Sequence, residues 1–166
     1  MGVLLAAFLM AHCSLLISSC SSIDCSAINY VGTYFSMLKP DGTKDTLYTD
    51  TLWVWTTRVD QKDTLLNRLS GAKDPSFVLQ TGYTQPEDMY YTLLVDTLGN
   101  EWLDTICIQK ENYPHFESVD CKASYFHKIT GASVTHHAFD SIVINYPTVN
   151  YETTHTHIYL YRKTDR

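Results

Sequence analysis

Beyond residue 28, apolar and polar residues alternate in short runs that are separated by turn-forming residues. Alternation with a period of two is typical of β-strands that bury one face. The pattern predicts strands at 29–38, 46–58, 76–80, 88–96, 102–110, 125–130, 133–138, 141–146 and 154–162. Segment 64–69 is the one stretch whose pattern also permits a short helix.

Turn chemistry and composition point to the same fold class. KPDG at 39–42 joins a proline that presets φ to a glycine that tolerates positive φ, and LGN at 98–100 is typical of a hairpin turn. From residue 20 onwards there are 20 Thr and 12 Tyr but only 5 Ala and 5 Glu, which favours strands over helices. We therefore predict an all-β fold in a single domain over 25–166. The expected architecture is an antiparallel two-sheet sandwich, immunoglobulin-like, with at most a short helical segment.

The tripeptide Asp-Thr-Leu recurs at positions 45, 50, 63 and 96, with variants at 104 and 140. Its irregular spacing excludes a solenoid of repeats. A short Asp side chain can accept hydrogen bonds from the backbone of a loop just before a strand begins. We interpret the motif as punctuation between strands.

The N-terminal block carries no charged side chain, since every Lys, Arg, Asp and Glu lies beyond residue 23. Its apolar run leads into ISSC at 17–20, which resembles the bacterial lipobox, in which the cysteine receives the lipid. We predict a lipoprotein signal peptide over 1–19, lipidation of Cys20 and a tether over 20–24 that reaches less than about 20 Å. A retained transmembrane anchor and a secreted protein without lipid are the alternatives.

Cysteine positions indicate one disulfide. Cys13 leaves with the signal and Cys20 carries lipid, so three cysteines remain in an oxidising compartment. Cys107 lies within a strand-like run, whereas Cys25 and Cys121 each adjoin an aspartate in loop-like sequence. We predict a Cys25–Cys121 disulfide, with a Cys121 nucleophile paired with a histidine as the alternative.

Charge and motifs narrow the function classes. The formal net charge of −6 argues against nucleic acid, because phosphate neutralisation supplies most of that affinity. The sequence has no Gly-x-Ser-x-Gly elbow, no phosphate-binding glycine loop and no His-Glu-x-x-His. We therefore expect no catalytic residues and no cofactor, and we favour a non-enzymatic protein over an enzyme.

Two histidines form the best candidate metal site. His155 and His157 are two residues apart, and on a strand they would share one face and could both bind zinc. His127 or His136 from a neighbouring strand could complete the site. The alternative is a polar, solvent-facing side of the last strand.

Aromatic side chains offer two candidate binding surfaces. Trp53 and Trp55 fall on one face of a predicted strand and could form a platform for a glycan, or they could simply cover the sheet. The segment 112–117 is a predicted loop that contains Tyr113, His115 and Phe116. These side chains could stack on a sugar, or Phe116 could tuck under the edge of the sandwich beside the disulfide.

Several stretches together resemble a family of small Bacteroidetes lipoproteins known only as a domain of unknown function. They are CSSIDC at 20–25, the Asp-Thr-Leu motifs, NYPHFESVDC at 112–121, YFH at 125–127, THH at 135–137, DSI at 140–142 and PTVNY at 147–151. The resemblance implies a lipoprotein and a shared disulfide but carries no catalytic or ligand-binding residue. We expect a non-enzymatic protein anchored by lipid in the outer membrane, on its periplasmic face. Its partner would be an envelope protein or a glycan, with a glycan-binding uptake module and a metal-dependent hydrolase as alternatives.

Overall fold

A computed structural model of the chain describes Cys25 and residues 31–58 and 61–164, and in this part of the chain all regular structure is β. The ten strands are β1 Gly32–Leu38, β2 Leu47–Thr57, β3 Asp63–Ala72, β4 Ser76–Gln80, β5 Glu87–Val95, β6 Glu101–His115, β7 Ser124–Val134, β8 Phe139–Ile144, β9 Thr148–Val149 and β10 Ile158–Arg162. Across these same residues, no helix is long and apolar enough to cross a membrane.

The strands form two sheets. A four-stranded sheet has the order β4-β1-β10-β8, and a six-stranded sheet has the order β3-β2-β5-β6-β7-β9. All pairs are antiparallel except β1 with β10, which run parallel from Phe35 beside Ile158 to Leu38 beside Tyr161. The predicted all-β, two-sheet sandwich is confirmed.

The core lies between the inner faces of the two sheets. Phe35 of β1 stacks on Phe77 of β4 with ring centroids 5.0 Å apart, and both rings are buried. Facing them are apolar side chains that alternate along the six-stranded sheet, among them Leu52, Leu94 and Ile106. Because each strand sends every second side chain inward, the period seen in the sequence builds this core directly.

Segment 64–69 belongs to β3 and is not a short helix. This strand pairs with β2 from Thr57 opposite Asp63 to Leu47 opposite Ala72, and it forms one edge of the six-stranded sheet. Leu65 is 56% exposed, so the run lacks the clean alternation of a half-buried strand. Pairing with β2, which the local pattern does not encode, decides its conformation.

The sandwich has two distinct ends. At the disulfide end, β1 begins, β6 ends at His115 and the 116–123 loop leads into β7. At the distal end, β1 and β10 finish, β2 begins, and the hairpin turn at 96–100 joins β5 to β6. Strand β6 runs fifteen residues between these ends, a span of roughly 50 Å.

Candidate binding site

Three charged side chains converge at the distal end of the sandwich. Asp45 precedes β2, Asp50 lies within it, and Arg162 is the last residue of β10. The Arg162 guanidinium lies 3.3 Å from Oδ2 of Asp45, and its other terminal nitrogen donates to Asp50. Both aspartates are at least 94% buried, so Arg162 supplies the charge compensation that buried carboxylates require.

A break in the β2 ladder produces this arrangement. The register with β3 shifts between Leu47 and Thr51, and the two residues Tyr48 and Thr49 are both exposed. A β-bulge turns consecutive side chains outward and re-aims the next one inward. Asp50 therefore points to Arg162, while Tyr48 is left 59% exposed beside the cluster.

The cluster lines a cleft at the distal end of the sandwich, with a volume of about 650 Å³. That volume lies within the range of small-molecule sites. The lining side chains balance in charge: Lys39, Arg162 and Lys163 are cationic, and Asp41, Asp45 and Asp50 are anionic.

The cleft combines rigid polar groups with one accessible aromatic ring. Lys163 is held in place because its Nζ donates to the carbonyl of His136 at 2.6 Å. Asp41 is fixed by hydrogen bonds from the Thr43 hydroxyl and backbone N–H, which hold the pKa of its carboxyl below the ordinary value. Donors, acceptors and the Tyr48 ring together suit a neutral ligand rich in hydroxyl groups, such as a carbohydrate.

The predicted disulfide is present at the opposite end of the molecule. Cys25 and Cys121 are bonded, with their Cα atoms 5.6 Å apart, and Cys107 is a free thiol on β6. Burial, together with the neighbouring Glu87, raises the pKa of the Cys107 thiol, which keeps it protonated and unreactive. The lipidation site Cys20 and the 20–24 tether lie outside the described residues.

Trp53 and Trp55 both face outward from the six-stranded sheet. Trp53 lies between Arg68 and Leu93 of the adjacent strands, with the guanidinium carbon 4.6 Å from the ring centroid. Trp55 stacks on Tyr91, with ring centroids 5.8 Å apart and planes inclined by 26°. Because these partners cover part of each ring face, the tryptophans do not form a bare platform for stacking on a sugar.

The segment 112–115 is the end of β6 instead of a loop, and it lies far from the tryptophans. Tyr113 pairs with Phe126 of β7, and its hydroxyl donates to Glu111. His115 stacks on Phe126 with centroids 4.3 Å apart. Phe116 is 63% exposed, so it does not tuck under the edge of the sandwich.

His155 and His157 do not share an exposed face. His157 precedes β10 and is 1% exposed; its Nδ1 accepts from the Tyr34 N–H at 2.9 Å and its Nε2 donates to the Thr148 carbonyl at 3.1 Å. Burial lowers the pKa of this ring, which therefore stays neutral. His155 instead lies half exposed, 3.2 Å from Glu152.

The geometry gives the zinc hypothesis no support, because both nitrogens of His157 are already used by the backbone. Among Cys25 and residues 31–58 and 61–164, no group of three or more His, Cys, Asp and Glu side chains could hold a metal ion.

His127 belongs to a buried polar network near the disulfide end. Its Nδ1 lies 2.7 Å from Oδ1 of Asn112, and because an amide oxygen only accepts, Nδ1 carries the proton. The fully buried Lys110 is paired with Asp88 at 2.8 Å. Burial and the nearby Lys110 charge lower the pKa of His127 to about 4, so the ring is neutral at physiological pH.

The sequence did not identify the Arg162 cluster, although a signal was present. Asp45 and Asp50 are the first two of the Asp-Thr-Leu motifs, only five residues apart, and both are buried. Asp96 fits the punctuation hypothesis, since its Oδ1 accepts from the N–H groups of Leu98 and Asn100. Arg162 lies more than 110 residues away, so no local pattern links it to the aspartates.

A family model described as "Family of unknown function (DUF6452)" matches residues 51–162. The match runs from within β2 to the end of β10, so it includes Arg162 and strands of both sheets but not β1, Asp45 or Asp50. No curated protein and no solved structure matches the chain.

Proposed function

The chain belongs to the family of unknown function DUF6452, and from this premise we propose that it is a lipid-anchored, non-enzymatic binding protein of the bacterial cell envelope. The distal cleft is its ligand site, and the ligand is a neutral oligosaccharide. The observation that carries this proposal is the position of the cleft, at the end of the sandwich opposite the disulfide. A lipid on Cys20 would hold the disulfide end at the membrane and leave the cleft facing away from it.

We propose the periplasmic face of the outer membrane as the location. Proteobacterial lipoproteins that stay in the inner membrane carry Asp directly after the lipidated cysteine, whereas here Ser21 follows Cys20. Asp24 is the only acidic residue soon after Cys20, so the acidic signature of export to the cell surface is weak. Palmitate labelling of the wild type and of Cys20→Ser tests the anchor. We expect the wild type, but not Cys20→Ser, to incorporate palmitate and to fractionate with the membrane. Palmitate incorporation that persists in Cys20→Ser would refute the assignment of the anchor.

The ligand is tested by electrophoresis of the purified domain through gels that contain one neutral polysaccharide each, such as xylan, mannan or starch. We expect retardation in at least one gel, and its loss in Tyr48→Ala. Tyr113→Ala is the matched control, because Tyr113 is also exposed but lies at the other end of the molecule. If Tyr113→Ala or Trp53→Ala abolishes the retardation while Tyr48→Ala preserves it, the binding site lies on the surface around the affected aromatic residue and not in the cleft.

A second candidate function is docking of an envelope protein on the outer face of the six-stranded sheet. Leu65, Met89 and Leu103 are each more than 40% exposed there, beside Trp53 and Trp55. Clustered Trp, Met and Leu side chains are characteristic of protein interfaces. A photo-crosslinking residue at Leu103 in cells should then capture one defined protein, whereas the same probe at Leu98, which is more exposed but lies in the distal hairpin turn, should not.

A further inference from the structure

The loop between β6 and β7 exposes large apolar side chains at the disulfide end. Val119 is 97% exposed and Phe116 is 63% exposed, and Tyr113 just before the loop is 46% exposed. The same loop contains Cys121, whose disulfide to Cys25 fixes the N-terminal end of the domain to it. Three exposed apolar side chains therefore lie near the point where the chain arrives from its N-terminal segment.

The length of that segment determines what can cover these side chains. Only the four residues 21–24 separate Cys20 from Cys25, so the chain between them reaches less than about 20 Å. A lipid on Cys20 would therefore hold the 116–123 loop at the bilayer surface, within reach of the headgroup region. This step rests on the lipid anchor in the proposed function.

We infer that the 116–123 loop rests on the membrane, with Phe116 and Val119 inserted among the lipid headgroups. The occupant of this apolar surface is thus the bilayer to which the protein is anchored. Phe116 adds a large apolar ring, and the neighbouring Tyr113 carries a polar hydroxyl, the combination that membrane interfaces favour. Glu117 and Asp120 outnumber Lys122 in the loop, so a zwitterionic surface suits it better than an anionic one.

The contact fixes the orientation of the domain. With the 116–123 loop on the bilayer, β6 leads away from the membrane, and the distal cleft lies at the far end of a strand that spans roughly 50 Å. A lipid anchor alone would let the domain tumble, whereas a second, apolar contact holds the cleft outward.

The test uses two tryptophan variants of the full lipidated chain, Val119→Trp and Leu98→Trp. Leu98 is a matched control, since it is 85% exposed in the hairpin turn at the distal end. Each protein is reconstituted into phosphatidylcholine vesicles with brominated acyl chains, which quench nearby indole rings. Wild-type protein corrects for the three native tryptophans.

We expect the fluorescence added by Val119→Trp to shift to the blue and to lose more than half of its intensity. The fluorescence added by Leu98→Trp should be the same as in vesicles without bromine. Equal quenching of the two variants, or an unquenched Val119→Trp on protein that floats with the vesicles, would overturn the inference. A chain that does not float with the vesicles would refute the anchor, and the membrane contact with it. A crosslink from position 119 to a protein in cells, without quenching, would replace the bilayer by a protein partner.

Discussion

The guanidinium of Arg162 lies 3.3 Å from the carboxylate of Asp45, a residue 117 positions earlier in the chain. The same guanidinium binds Asp50, so one cation is shared by two buried carboxylates, one just before β2 and one within it. The cluster of Arg162, Asp45 and Asp50 ties β10 of the four-stranded sheet to β2 of the six-stranded sheet. It thus stabilises the sandwich and also lines the distal cleft.

Arg162→Met should destabilise the protein by about 3–5 kcal/mol, because it removes the guanidinium that the two buried carboxylates share. Chemical denaturation at neutral pH measures the loss. Arg68→Met is the matched control, since Arg68 lies on the outer face over Trp53, where a cation–π contact contributes about 1 kcal/mol or less.

Adding Asp45→Asn and Asp50→Asn to Arg162→Met should recover part of the stability, since the uncompensated charges are then gone. A single Arg162→Met variant as stable as Arg68→Met would show that the cluster is solvated and does not join the sheets.

Asp104→Ala should cost about 3–5 kcal/mol, because the fully buried carboxylate accepts from three consecutive backbone N–H groups, those of His137, Ala138 and Phe139. Burial alone would raise the pKa of Asp104, but the hydrogen bonds from His137 and Ala138 outweigh it and lower the pKa. Thermal unfolding should show a much smaller loss for Asp96→Ala, whose carboxylate serves an exposed turn. Equal losses in the two variants would contradict the role of Asp104 in joining β6 to β8.

Stability should fall as the pH drops from about 6.5 to about 4, because of His127. The unfolded ring binds a proton near pH 6.5, whereas the folded ring, with its pKa lowered to about 4, does not. The unfolded state therefore takes up more protons in this window, and up to roughly 3 kcal/mol present above pH 6.5 is lost by pH 4. The lowered pKa of His157 acts in the same direction.

His127→Gln should flatten this pH dependence, whereas His136→Gln, which alters an exposed ring, should leave it unchanged. Denaturant midpoints measured across the window provide the comparison. A His127 resonance that titrates near pH 6.5 in an NMR experiment on the folded protein would contradict the buried, neutral ring.

The sandwich could be predicted because its signals are local. Period-two alternation marks the strands, and Asp96 fixes the hairpin turn between β5 and β6. Segment 64–69 could not be assigned from its own pattern, since an edge strand takes its conformation from its partner. His155 and His157 were misplaced for a similar reason: β10 begins only at Ile158, so the assumption of a shared strand face does not hold for them.

Cys25→Ser should lower the free energy of unfolding by roughly 4–5 kcal/mol under oxidising conditions, because the disulfide closes a loop between residues 96 positions apart. Cys107→Ser is the matched control and should change stability little, since that thiol has no disulfide partner. Denaturation with and without reductant separates the effects: reductant should destabilise the wild type and Cys107→Ser but leave Cys25→Ser unchanged. A wild type that is insensitive to reductant, while fully reduced by thiol titration, would show that the core alone supports the sandwich.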